Sequence, residues 1–148
     1  MTLLERLAQE MKAAMLARDA DRLGTLRLLK SAVGYAQIEK KTDTLTDADV
    51  VILVQKEMKK RRDAIEQFQA GGRAELAAHE QKEIGVLESF LPAPLSPEEL
   101  EQLVRAVITE TGATDKKQMG IVIKTVQAKA AGRAEGKTIS ALVGRLLP

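Results

Sequence analysis

An all-α fold is predicted for this chain by three features of its sequence. Apolar residues recur at three- and four-residue steps, the apolar palette is Leu, Ala, Val, Ile and Met, and no stretch alternates in the manner of a strand. At 45% hydrophobic and 30% charged, the 148 residues are too apolar for intrinsic disorder and can bury a core, although Trp is absent and Tyr and Phe total three. Without Cys, neither disulfides nor thiolate metal sites hold the fold, so a reducing compartment, the cytoplasm, is expected. No apolar run approaches the roughly 20 residues that cross a bilayer. The start, MTLLERLAQEMK, carries charge within five residues, and neither export nor membrane insertion is expected.

The elements follow in order. Leu3, Leu4, Leu7, Met11 and Met15 form one stripe, with Thr2 and Glu5 spaced as a capping box, which predicts a first helix over 3–18. Asp21 is placed to cap a second, striped by Leu23, Leu26, Leu29, Val33 and Ala36, that stops at the polar stretch KKTDTLTD. Thr46 opens a long third helix with Val51, Val54, Met58, Ile65 and Phe68 in phase, ended by Gly71 and Gly72. A fourth carries Leu76, Ile84, Leu87 and Leu91. LPAPLSP then places three prolines within six residues and marks a boundary. Ser96 as cap, Pro97 at the first helical position and Glu99 restart the helix, with Leu100, Leu103, Val104, Val107 and Ile108 inward and Gly112 as its end. Met119, Val122, Ile123 and Val126 mark a sixth helix and Ile139, Leu142, Val143 and Leu146 a seventh, separated by AAGRAEGK. The expected organisation is an amino-terminal four-helix module over 1–91, a Pro-rich linker over 92–97 and a basic three-helix module over 98–148.

Charge is unevenly placed. Residues 1–90 balance, whereas residues 112–148 hold seven basic and two acidic side chains, a local net +5. Such asymmetry points to a polyanion as partner, and equally to a solvated basic face. Lys116, Lys117, Lys124, Lys129, Arg133 and Lys137 are the candidate phosphate contacts. Gly132 and Gly136 are candidates too, because glycines reverse the chain and thin a loop enough for a phosphate backbone to approach.

Other motifs fail as chemistry. GRAEGKT resembles a phosphate-binding P-loop, but three residues rather than four separate its glycines, and a helix rather than a strand precedes it. Glu75, His79 and Glu83 share one helical face, yet one helix rarely supplies a whole metal site and there is no second His. His79 has no recognisable nucleophile beside it, so no catalytic residue, metal or cofactor is assigned. In KEMKKRR, Arg61 and Arg62 fall in phase between Met58 and Ile65. They either lay their stems along the helical hairpin and pair with Glu57 or Glu66, the favoured reading, or form a second phosphate stripe.

FLPAPLSPEEL at 90–100, MGIVIKTVQAKAAGRAEGK at 119–137 and LAQEMKAAMLARDADRLGTLRLLKSAV at 7–33 together resemble the GatB/YqeY family, in particular its stand-alone YqeY-like members. Glu135 departs from the Asp common there. The resemblance implies four helices followed by three. It also implies kinship with the tail domain of the B subunit of the tRNA-dependent amidotransferase, a tRNA-contacting appendage remote from the chemistry. From it come the expected partners: tRNA or another structured RNA, and a tRNA-amidotransferase or aminoacyl-tRNA synthetase. A non-catalytic tRNA-binding protein, favoured as a monomer, is the leading expectation. The alternatives are an accessory of glutamine-dependent amide transfer, a carbon–nitrogen ligase chemistry for which this Cys-free chain shows no nucleophile, and a helical protein-interaction adaptor.

Overall fold

A computed structural model describes all 148 residues, Met1–Pro148. It contains seven α-helices and no strand: α1 Leu3–Leu16, α2 Ala20–Lys40, α3 Asp47–Ala70, α4 Ala74–Glu88, α5 Pro97–Thr111, α6 Met119–Ala130 and α7 Gly136–Leu146, with a 3-10 turn at Lys116–Gln118 before α6. Two compact units divide the chain, Met1–Leu91 and Pro92–Pro148. No helix is long and apolar enough to cross a membrane.

In the first unit, α1 to α4 bury a core of Leu, Val and Met around Phe90, the one aromatic side chain fully enclosed. The helix ends are set by local chemistry. Thr2 with Glu5 and Thr46 with Asp49 form reciprocal capping boxes, satisfying amide groups that the first helical turn leaves without partners. Three details differ from the sequence expectation. The cap of α2 is Asp19, whose carboxylate accepts from the Arg22 amide, so the helix starts one turn earlier and Asp21 lies in its first turn. On α3 the inward stripe runs Val50, Val54, Met58 and Arg61, placing an arginine where the apolar period calls for a hydrophobe. Ala77 rather than Leu76 is buried on α4, and on α1 Ala14 rather than Met15.

Arg61 is only 7% exposed. Its Nε donates to Glu83 Oε2 of α4 at 2.8 Å, and its Nη1 donates to both Glu57 Oε2 and the Glu57 carbonyl at 3.0 Å. Burial works against its charge, but the hydrogen bonds and attraction of the two carboxylates outweigh that cost and its pKa is raised. Arg61 therefore stitches α3 to α4 and is not available to a phosphate.

The second unit packs α5, α6 and α7 around Leu100, Val104, Val107, Val122, Val126, Ile139 and Val143. Ser96, Pro97 and Glu99 open α5 as the sequence predicts, and Gly112, at φ +67°, ends it. The proline-rich segment is held against this unit. The Leu95 amide donates to the Arg133 carbonyl and Arg133 Nε donates to the Ala93 carbonyl, each at 2.8 Å, while Leu95 packs on the core.

Candidate nucleic-acid interface

The candidate cations are distributed over one 3-10 turn and two helices. Lys116 and Lys117 are exposed on the turn Lys116–Gln118, whose amino end is fixed by the Asp115 carboxylate accepting from the Lys117 amide at 2.8 Å. Lys124 lies on the outer face of α6, opposite the buried Val122, Val126 and Ala130. None of these three lysines makes an ion pair. Lys129 also leaves α6 but on a flank of the helix, where its ammonium pairs with Glu110 of α5. Lys137 is exposed on the first turn of α7.

The glycine turn is built differently from what its sequence suggests. Ala131 takes the left-handed cap of α6 at φ +47°, and Gly132 follows at φ +86°. Gly136 is already the first residue of α7, and a Cβ there would meet Gln127 Nε2 at 3.3 Å. Gly136 is thus required by contact with a side chain of α6 rather than by a left-handed backbone, and only Gly132 thins the loop through its dihedral angles.

Arg133 and Lys129 border a depression of about 430 Å³ together with Leu95, Glu99, Gln102 and Leu103. Glu99 lies on its rim. The amide and hydroxyl of Ser96, and then Arg133, hold its carboxyl below the ordinary 4.5. Since the folded value is depressed, the stabilising contribution is complete above about pH 4.5 and is lost as pH falls through the folded value. In a carboxyl-detected NMR titration, Ser96→Ala should raise the Glu99 midpoint toward 4.5; an unmoved midpoint would show that the cap does not set it.

Folding also redistributes the charge. The compact unit from Pro92 onward contains eight basic and six acidic side chains, a net +2 rather than the +5 of residues 112–148, because it includes α5. The α5 carboxylates then fall on the basic helices: Glu110 on Lys129, Glu101 on Arg145 at 3.7 Å, and Glu99 near Arg133. These acidic partners lie between 19 and 44 residues away in the chain, beyond the reach of any local motif. Elsewhere, His79 Nε2 is 3.4 Å from Glu83 Oε1, while the other oxygen of Glu83 is committed to Arg61. No group of three or more His, Cys, Asp or Glu side chains could hold a metal ion.

The model of the Yqey-like protein family matches residues 4–147. The chain belongs to the YqeY-like family. Among its YqeY-like relatives, the altered inheritance of mitochondria protein 41, mitochondrial, of Lachancea thermotolerans is 30% identical over 145 residues, covering 94% of this chain and 78% of that protein. The protein of the same name from Pyrenophora tritici-repentis is 29% identical over 134 residues, covering 88% of this chain and 72% of its own length. An uncharacterised Schizosaccharomyces pombe protein is 40% identical over 79 residues, 53% of this chain, and the match spans only 63% of the fission yeast protein.

Proposed function

We propose that this YqeY-like protein is a non-catalytic binder of structured RNA, with tRNA as the first ligand to test, acting through Pro92–Pro148 as a three-helix module distinct from the four-helix module that precedes it. The observation carrying this reading is that Lys116, Lys117 and Lys124 lie within nine residues, are exposed, and have no carboxylate partner. Unpaired cations release a phosphate's counterions at no cost in broken ion pairs, so they contribute more to polyanion binding than cations already neutralised. Amino-terminal to Lys124, α6 starts without a side-chain cap, and its free amides and dipole add positive potential on the same segment. Lys129, Arg133 and Lys137, with Gly132 thinning the turn, form an outer part of the surface. Lys129 contributes less because Glu110 competes for it. The absence of Cys favours a reducing compartment, and we assign the cytoplasm.

Filter binding of tRNA across a salt series tests the assignment. Wild type should bind at about 50 mM salt and weaken steeply, with each phosphate contact contributing about 0.9 to the slope of log affinity against log salt. Lys116→Ala/Lys117→Ala/Lys124→Ala should flatten that slope by about 2 to 3. An unchanged slope removes the site from these lysines. No binding at low salt removes the function.

A further inference from the structure

Helix α2 carries two seams. One faces the core through Leu26, Leu29 and Val33. The other lies opposite and is solvent-exposed: Gly24, Leu28, Ser31, Tyr35 and Ile38, spaced 4, 3, 4 and 3 residues apart, the 3.5-residue repeat of a coiled-coil seam. Leu28 is 52% exposed, Tyr35 76% and Ile38 77%, although the chain has only one Tyr to spend.

Gly24 adds an independent observation. It sits inside a helix, where glycine costs roughly 0.5–1 kcal/mol relative to alanine. Yet no atom lies within 4 Å of where its Cβ would be, so nothing within the chain requires a glycine there.

We propose that this face is a homodimer interface, in which α2 packs antiparallel against α2 of a second copy about a two-fold axis beside Ser31. The seam is self-complementary in that register. Leu28 meets Tyr35 of the second copy, Ile38 of the second copy seats over Gly24, and the two Ser31 residues meet at the axis, where small side chains let the helices approach. At 1.5 Å per residue the seam from 24 to 38 is about 21 Å long, which suits a shallow crossing of about 20°.

Charge supports the same occupant and orientation. Asp21, Arg27, Glu39 and Lys41 are all exposed and make no ion pair in the protomer, while neighbouring Arg22 and Lys40 do. The antiparallel register brings Asp21 level with Lys41 of the second copy. It also brings Arg27 within about 5 Å, along the axis, of Glu39 of the second copy, within reach of two long side chains. A parallel arrangement would set each of these charges against its own kind. One helix pair is a small interface, so a weak equilibrium with Kd of about 10–100 μM is expected.

Sedimentation velocity from about 5 to 500 μM, a range bracketing that Kd, reads the equilibrium directly. Wild type should shift from monomer to dimer, Tyr35→Glu should remain monomeric, and circular dichroism should show its helices intact. Arg27→Glu and Glu39→Arg should each weaken the dimer about tenfold, and the double swap should restore it, because a two-fold interface re-forms both pairs. In this Cys-free chain, Ser31→Cys should oxidise to a symmetric disulfide-linked dimer and Lys56→Cys should not. A wild type that stays monomeric throughout overturns the proposal. So does a dimer that Tyr35→Glu leaves intact, or one that the double swap fails to restore.

Discussion

Arg61→Ala is expected to destabilise the chain by about 3–5 kcal/mol, because truncation leaves the largely buried carboxylates of Glu57 and Glu83 without their cation. The cost measures what the two acids lose more than what the triad contributes, since bringing an arginine and two glutamates out of water is itself expensive. Two further variants separate these effects. Arg61→Ala/Glu83→Ala should recover part of the loss by removing one stranded carboxylate, giving a coupling of about 1–3 kcal/mol. Arg61→Lys should recover little, because an ammonium cannot reproduce the geometry by which Nε reaches Glu83 while Nη1 serves Glu57 and its carbonyl. Urea denaturation at pH 7 provides all three values. A loss below about 1 kcal/mol for Arg61→Ala would mean that water solvates both acids after truncation.

A loss of similar size is expected from Phe90→Ala. Phe90 is the only aromatic side chain enclosed by the α1 to α4 core, packed among Leu, Val, Met and Ile side chains whose positions are fixed by four helices. Its removal leaves a cavity that aliphatic neighbours on rigid helices fill only in part, costing about 3–5 kcal/mol. Phe90→Leu should cost much less, about 1–1.5 kcal/mol. The guanidinium of Arg6 lies 4.9 Å from the ring centroid, but Arg6 is partly exposed and also pairs with Glu10. Its cation–π share is therefore at most about 1 kcal/mol, and Arg6→Ala should fall well short of Phe90→Ala. Equal losses for the two would move the weight from packing to the cation.

These two residues also show why the charge pattern of the chain reads differently before and after folding. KEMKKRR admits either a phosphate stripe or a buried pairing, and nothing within seven residues decides between them. The decision comes from Glu83, 22 residues onward, which α4 brings against α3. The basic tail repeats the case. Its local +5 is real, but α5 folds its carboxylates onto Lys129 and Arg145, leaving Lys116, Lys117 and Lys124 as the cations without a partner. Glycine spacing was similarly ambiguous: Gly132 has the left-handed backbone its place in a turn suggests, whereas Gly136 is helical and answers to Gln127.

The family resemblance was legible because it rests on contiguous residues, and the match over 4–147 covers all three of the segments that carried it, apart from nothing but the chain's first and last few positions. Helix content was legible for a related reason. Capping boxes at Thr2, Thr46 and Ser96 act over three residues, and the 3.6-residue period is satisfied or broken locally. One position slipped at α2, where Asp19 and Asp21 are both competent caps and the choice depends on where α1 delivers the chain.

By itself, then, the sequence determined the helical class, the places where helices begin and stop, and the excess of cations toward the carboxy-terminus. Each of these follows from interactions between residues a few positions apart. Only the tertiary structure decided which cations are neutralised, that Arg61 is buried, and that α2 turns Leu28, Tyr35 and Ile38 to solvent. Those outcomes depend on which helix packs against which, and a carboxylate 20 residues away in the chain acts on a cation only once the fold brings the two within a few ångströms.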